Sequence, residues 1–564
     1  MNNKVRVIAR RALQLSFRLR PDKHDHALLY RYSTCSTMRQ AVKMTHMNFR
    51  RGIYWQGDTL QKIFKLTLSV LLLFSIVGCD GGNPGEEDSG VPDGALDAGL
   101  FGDASSDSDV DTDTDSDSDA DASLIDSGAD SGDSGIFQGC TESIIFPDPN
   151  FEAAIRDEID KPVGDISHDD LKQVEALNAM DRGIHDITGI QCFDSATRVY
   201  LNVNNISNLE PLSNLTEIKY LGLAANDIED IAPLENLTKI EALWISNNNI
   251  SDISSLVHLV LLVELWMDEN AISDIAPLQD LTQITKLIGS DNDISNIESL
   301  SSLMNLESLN LGNNNIDDIS SLGELDSLLS VNLNDNRIRN ISDLEKCISV
   351  TTLSLNNNSI ENISALSGLE NLTYLFLNDN DIEDISALAG LENLAELSVN
   401  SNKISDVSTI STITTLTKLH IRSNGLGNVG VQTINDLSAL DYLDIADNNI
   451  SNISTLTGLV NLSLLDIESN NIQDIGVVTN YPKLVWVWFS DNVIDDISPL
   501  SNIKNPIDIF LSSNQITDLT PLLSIEGIEN ALEVDLSGNP IDCDEQSSNI
   551  DDLESWGTNL TTDC

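Results

Sequence analysis

An asparagine returns every 22 residues from Asn204 to Asn424, at 204, 226, 248, 270, 292, 314, 336, 358, 380, 402 and 424. After a 24-residue step it resumes at 448, 470, 492 and 514, and Asn539 follows after a further 25 residues. A fixed period of this length leaves one class of architecture, a solenoid whose units bury their apolar faces only by stacking. One unit reads Leu215-x-x-Ile218-x-x-Leu221-x-Leu223-x-x-Asn226-x-Ile228-x-x-Ile231-x-x-Leu234. The period of two at Leu221 and Leu223 predicts a short strand with these side chains inward. The asparagine ends that strand, with its amide placed to bond the turn and the neighbouring coil. Ile228, Ile231 and Leu234 line a return leg, where Ala232-Pro233 suits a 3-10 or extended segment better than an α-helix. Sixteen coils with strands about 4.8 Å apart would extend roughly 75 Å.

The unit L-x-x-L-x-x-L-x-L-x-x-N-x-I-x-D-I-x-x-L resembles the 22-residue leucine-rich repeat of bacterial internalin-like proteins. That resemblance implies short parallel strands on a concave face, return legs of 3-10 or extended chain, and an α-helical N-terminal cap. Phe146 to Ile159 reads as the cap helix, with Phe151, Ile155 and Ile159 on one face. Ser167 followed by Asp170 reads as a second helix start. The segments Pro149-Asn-Phe-Glu-Ala-Ala-Ile and Asp165-Ile-Ser resemble the cap that precedes internalin-like repeats. Leu177-x-Ala179-x-x-Arg182-x-Ile184 is in phase with the array but has arginine in the asparagine's place, so it reads as a degenerate first coil. The 24-residue step, opening Asn424-Gly-Leu-Gly-Asn-Val-Gly, predicts a local bend.

Composition divides the chain further. Residues 191–541 hold the array, 139–190 the helical cap with its degenerate coil, and 542–564 a C-terminal cap. Fourteen of the 30 Lys and Arg lie in residues 1–65, leaving 16 basic against 87 acidic groups, a net of −71, from residue 66 onward. Such a surface repels nucleic acid and anionic membranes. Residues 79–138 form an acidic linker that lacks Lys and Arg and cannot bury enough apolar surface to fold. It reads as a stalk; its alternating aspartates lack the glycine and closing glutamate of an EF-hand, leaving only diffuse counter-ion binding.

Residues 47–78 read as a signal peptide, with basic residues before the twelve-residue apolar run Leu66 to Val77, too short to span a bilayer. Ile76-Val77-Gly78-Cys79 resembles a bacterial lipobox, which implies cleavage before Cys79 and acylation of its sulfur. Residues 1–46 are then either an over-called leader, with Met44 or Met47 the true start, or an extended n-region. The resemblance places the protein outside the cytoplasm, lipid-anchored to the bacterial cell envelope at the outer membrane or cell surface.

Of the seven cysteines, Cys347 stands where Leu215 stands in its own coil and reads as a buried thiol. Cys543 and Cys564 flank a segment matching the short cap that closes many extracellular repeat arrays, which implies their pairing. Cys140 and Cys192 are placed to join the N-terminal cap to the first coil, although connectivity does not follow from sequence. No C-x₂₋₄-C spacing points to zinc, and nothing points to a cofactor. There is no H-E-x-x-H, no G-x-S-x-G and no phosphate loop, so the chain reads as a non-enzyme.

The period also sorts side chains. Positions six, four, two and one before each asparagine point outward from the strands. Tyr200, Trp244, Trp266, Phe376, Trp488 and Phe510 occupy the minus-four column; Tyr220, Tyr374, Tyr442 and Trp486 occupy minus six. Trp and Tyr are anchors of interfaces, whereas the bland alternative is cross-strand stacking that stiffens the sheet. Tyr200, Tyr220, Trp244 and Trp266 form one candidate partner-binding patch; Trp486, Trp488 and Phe510 form another, and Tyr374 with Phe376 lies between. Lys418, His420 and Arg422 make a basic strand face, read either as a contact for an acidic group or as neutralising Glu396, Asp444 and Asp466. The expected function is binding of a macromolecular partner, most simply a protein. Its alternatives are a non-binding spacer of the cell envelope and a carbohydrate binder.

Overall fold

The computed structural model describes Cys140 and residues 144–564; the leader, the signal peptide, Cys79 and the acidic linker lie outside the described residues. Short strands, seventeen of three residues and a last one of two, stack in chain order into one parallel sheet among the described residues. Partners in most of the array are 22 residues apart, as with Leu221 opposite Leu243 and Trp244 opposite Trp266. Sixteen strands precede the repeating asparagines, one comes before them at Ala176–Asn178, and one follows at Leu560–Thr561. The expected solenoid of short strands and 3-10 return legs is therefore the observed fold.

The asparagine explains why each strand stops. Asn226 Nδ2 donates to Leu223 O in its own coil and to Leu201 O in the preceding coil, both at 3.0 Å. Its Oδ1 accepts from Ile206 N–H, also at 3.0 Å. One amide thus satisfies three backbone groups in two coils, and Asn314 repeats the arrangement at 3.0, 3.1 and 2.9 Å. The residue just before each asparagine from 204 to 514 has a left-handed φ between +51° and +60°. This turns the chain out of the sheet.

The aspartate of the I-x-D-I segment has its own local duty. Asp230 Oδ1 accepts from Ala232 N–H at 2.8 Å and caps the 3-10 turn Ala232–Leu234; Asp318 and Asp496 do the same for Ser320 and Ser498. Seven positions per coil then face inward, as Leu215, Ile218, Leu221, Leu223, Ile228, Ile231 and Leu234 do, each at most 5% exposed. Each such side chain contributes about 1.5–3 kcal/mol on burial, realised only when the next coil covers it.

The N-terminal cap is helix α1, Pro149–Glu158, which buries Phe151 and Ile155 and leaves Ile159 half-buried against the core. Asp148 ties it to the array. One carboxylate oxygen accepts from Asn150 and Phe151 N–H at the helix start, the other from His185 and Asp186 N–H. Burial pushes its pKa up, but these four donors outweigh that and hold it below the ordinary carboxylate range. Helix α2, His168–Leu171, begins as expected, with Ser167 donating from its N–H and hydroxyl to Asp170. Ahead of the array, Ala176–Asn178 pairs with Arg198–Tyr200, and the Arg182 side chain meets Asp157 at 2.8 Å. Disulfides join Cys140 to Cys192 and Cys543 to Cys564.

At the 24-residue step the structure holds a third helix, α3 (Gly427–Thr433), which runs directly into a 3-10 turn at Ile434–Asp436. The two extra residues fit because Gly430 packs against the previous coil, where a Cβ would lie 3.1 Å from Ser405 O. The closing cap carries α4, Ser547–Ser555, with Leu553 buried. Among the described residues no helix is long and apolar enough to cross a membrane.

Candidate binding face

The sheet brings the outward columns together as the period predicts, with each coil contributing its minus-six and minus-four side chains to adjacent rows. In the first patch, Tyr200, Tyr220, Trp244 and Trp266 sit on four successive strands. Gly222 stands between Tyr200 and Trp244 in their column, so the two rings meet across it, centroids 6.3 Å apart. A Cβ there would come 2.5 Å from Asn202 Nδ2. Lys286 Nζ lies 4.5 Å over the Trp266 ring, a cation–π contact. The Tyr220 hydroxyl donates to Glu241 at 3.0 Å, and that bond holds its pKa above the ordinary phenol value.

These aromatics are half-buried by one another and by their neighbours rather than standing clear. Tyr374, 44% exposed, is the most open aromatic among them. Beside it runs a feature that the sequence reading missed, a second asparagine ladder two residues before the first. Asn334 Oδ1 accepts from Asn356 N–H, Asn356 from Asn378, Asn378 from Asn400, and Asn400 from Arg422, all at 2.7–2.8 Å. The recurrence of asparagine at 334, 356, 378 and 400 was its signal.

The side chains of the basic strand meet acidic groups of neighbouring coils. Lys418 pairs with Glu396 at 2.9 Å, and His420 lies 3.7 Å from the same carboxylate with its ring 4.3 Å from that of Tyr442. Arg422 reaches Asp466 and Glu468 at 3.3 and 3.4 Å.

The second patch is built as a checkerboard. Along the minus-six column Tyr442, Leu464, Trp486, Asp508 and Glu533 are successive strand neighbours. Along minus four the succession is Asp444, Asp466, Trp488, Phe510 and Asp535. The Trp488 and Phe510 rings stack with centroids 6.4 Å apart. Asp444, Asp466 and Asp508 are buried, a depth that their outward columns did not predict. Burial, together with repulsion from Asp444 and Glu468, pushes the Asp466 carboxyl well above its ordinary range despite Arg422.

Elsewhere, Cys347 is buried and its thiol pushed up to about 11 by that burial, a packing residue as its position implied. Gly425-Leu-Gly-Asn-Val-Gly430 has the G-x-G-x-x-G spacing of a dinucleotide loop, which corrects the expectation that the chain carries no such motif. Its amides are committed to protein: Gly427 N–H donates to Asn448 O at 3.0 Å and Gly425 N–H to Ile404 O at 2.8 Å. The loop therefore serves the turn into α3.

Family comparisons agree with this geometry. A "Leucine rich repeat" family matches residues 414–472, and a "Leucine Rich repeats (2 copies)" family matches 217–258, 348–390 and 370–412. No curated protein matches the sequence. Among solved structures, an internalin of Listeria monocytogenes, InlF, is 31% identical over 58% of this chain and 97% of its own, with a TM-score of 0.56. The functional domain of InlJ from the same species is 22% identical over 69% of this chain and 79% of its own, with a TM-score of 0.54. A leucine-rich-repeat protein of Leptospira interrogans is 19% identical over 70% and 97%, with a TM-score of 0.56. The last two are alike in fold alone. An internalin matched over nearly its whole length, together with the asparagine ladder, shows that the chain belongs to the internalin-like leucine-rich-repeat family.

Proposed function

We propose that this protein is an exported, lipid-anchored binding module, held through acylated Cys79 at the cell surface or in the periplasm, whose strand face takes a protein partner. One observation carries the reading. Large aromatic side chains gather in two patches, Tyr200 to Trp266 and Trp486 to Phe510, on a face whose other columns are mostly small or polar. Half-exposed Trp and Tyr in such settings are the side chains that dominate interface energies. Tyr374 and Phe376 extend the same face between the patches.

A spacer role is the competing reading, favoured by the ring pairs Tyr200–Trp244 and Trp488–Phe510, which stiffen the sheet. The Trp486→Ala/Trp488→Ala variant separates the two. Loss of the partner recovered by proximity labelling in the native cell, with melting temperature within a few degrees, is expected for a binding face. Ring pairs are worth only about 0.5–1.5 kcal/mol beyond burial. Undiminished capture with a large fall in melting temperature would establish the spacer, and a positive glycan array lost in the same variant would establish a carbohydrate ligand.

A further inference from the structure

The strand face changes character abruptly after the basic strand. Over the five coils ending at Asn448, Asn470, Asn492, Asn514 and Asn539, its twenty outward positions hold eight acids and no Lys or Arg. The acids are Asp444, Asp447, Asp466, Glu468, Asp491, Asp508, Glu533 and Asp535, interleaved with Tyr442, Trp486, Trp488 and Phe510. From this juxtaposition we infer that the second patch is a docking site for a basic polypeptide segment, whose Arg or Lys side chains lie on the indole faces beside the neighbouring carboxylates. The inference rests on the proposed binding face and names the chemistry of its partner.

Two contacts inside the protein already show each half of that recognition. Lys286 over Trp266 shows that a tryptophan of this face takes a cation on its ring at 4.5 Å. Arg422, entering from the neighbouring coils, shows that a guanidinium is drawn to the buried carboxylate of Asp466 at 3.3 Å. The ladder places these halves side by side, with Asp466 the strand neighbour of Trp488 and Asp508 that of Trp486. Glu468, Glu533 and Asp535 are half-buried, so their carboxylates are screened less by salt than fully exposed ones, and their field acts beside the electron-rich faces of the rings. Arginine suits both surroundings, being planar, weakly hydrated and permanently charged.

The test uses the full chain and a nona-arginine peptide, with a nona-citrulline peptide as its uncharged counterpart. The arginine peptide should change tryptophan fluorescence and bind at least tenfold more tightly than citrulline, with an affinity that falls as salt is raised. Trp486→Ala/Trp488→Ala, and separately Glu468→Gln/Glu533→Gln/Asp535→Asn, should each weaken it tenfold or more. Asp230→Asn/Asp274→Asn/Asp318→Asn removes as much charge from the return legs and keeps their capping amides, so it should change affinity less than twofold. Equal losses in the two charge variants would show mere attraction to an acidic chain and overturn the site. Citrulline binding as well as arginine, or a neutral oligosaccharide displacing the peptide, would also overturn it. If the tryptophan variant loses the cellular partner while the arginine peptide ignores the patch, the cationic assignment falls and the binding face stands; if neither responds, both fall.

Discussion

Arg422 reaches past one intervening strand to Asp466, placing Nη1 3.3 Å from Oδ2 of a carboxylate with no exposed surface. The same guanidinium lies 3.4 Å from Glu468, and Asp444, equally buried, is the strand neighbour of Asp466. Removing Arg422 takes the offsetting cation from this acidic cluster and drives Asp466 further toward its protonated form. Arg422→Leu should therefore cost about 3 kcal/mol at neutral pH, while Arg422→Lys, which keeps charge but loses the planar fork, should cost less. Urea unfolding followed by tryptophan fluorescence measures both. A loss below about 1 kcal/mol for Arg422→Leu would show that the arginine does not hold the cluster together.

The raised Asp466 pKa gives a pH dependence with a definite sign. The native protein disfavours the charged carboxylate, so the stability contributed by this group is full below the ordinary value of 3.8 and is lost as pH rises through the native value. Asp466→Asn does not titrate in that window. Its stability relative to the parent should climb as pH is raised from about 4 to 8, read from urea midpoints at each pH. Parallel profiles for the two proteins would rule out the native shift.

The fold was legible because its strongest determinant is periodic. Leu221, Leu223 and Asn226 recur in register, and each repetition states again which side chains face inward. The candidate face was legible only in projection. The columns placed Trp244 and Trp488 correctly, yet column position does not report depth. Asp444, Asp466 and Asp508 are buried although their columns face outward, and a single repeat does not encode that depth. The 24-residue step was visible as an irregularity, but its outcome as α3 depended on Gly430 clearing Ser405 O.

Asn314 tests the lock in mid-array. Asn314→Ala would leave the Ile294 N–H and the Gly289 and Leu311 carbonyls without their buried amide partner. Orphaned groups of this kind cost about 1–3 kcal/mol apiece, so a total near 3 kcal/mol is expected after relaxation. Because a solenoid couples mainly to nearest neighbours, faster amide exchange should appear in the coils around residues 289–314 and fade within one or two coils. Uniform acceleration from end to end would contradict that locality.

Val203 is a β-branched residue held at φ +60°, in the column where most other coils use Asn, Asp or Ser. The left-handed conformation costs an ordinary L-residue about 1–2 kcal/mol, and more when Cβ is branched; asparagine adopts it readily. Nothing in the backbone need change, since Val203 N–H donates to Ala224 O at 2.8 Å whatever the side chain. Val203→Asn should therefore stabilise the first coils by about 1 kcal/mol. Val203→Gly relieves the same strain but enlarges the freedom of the unfolded chain, so its gain should be smaller. Val203→Ile, with the branch retained, should gain nothing. Thermal melts of the three variants order them, and a stabilising isoleucine would mean that packing rather than backbone strain governs this position.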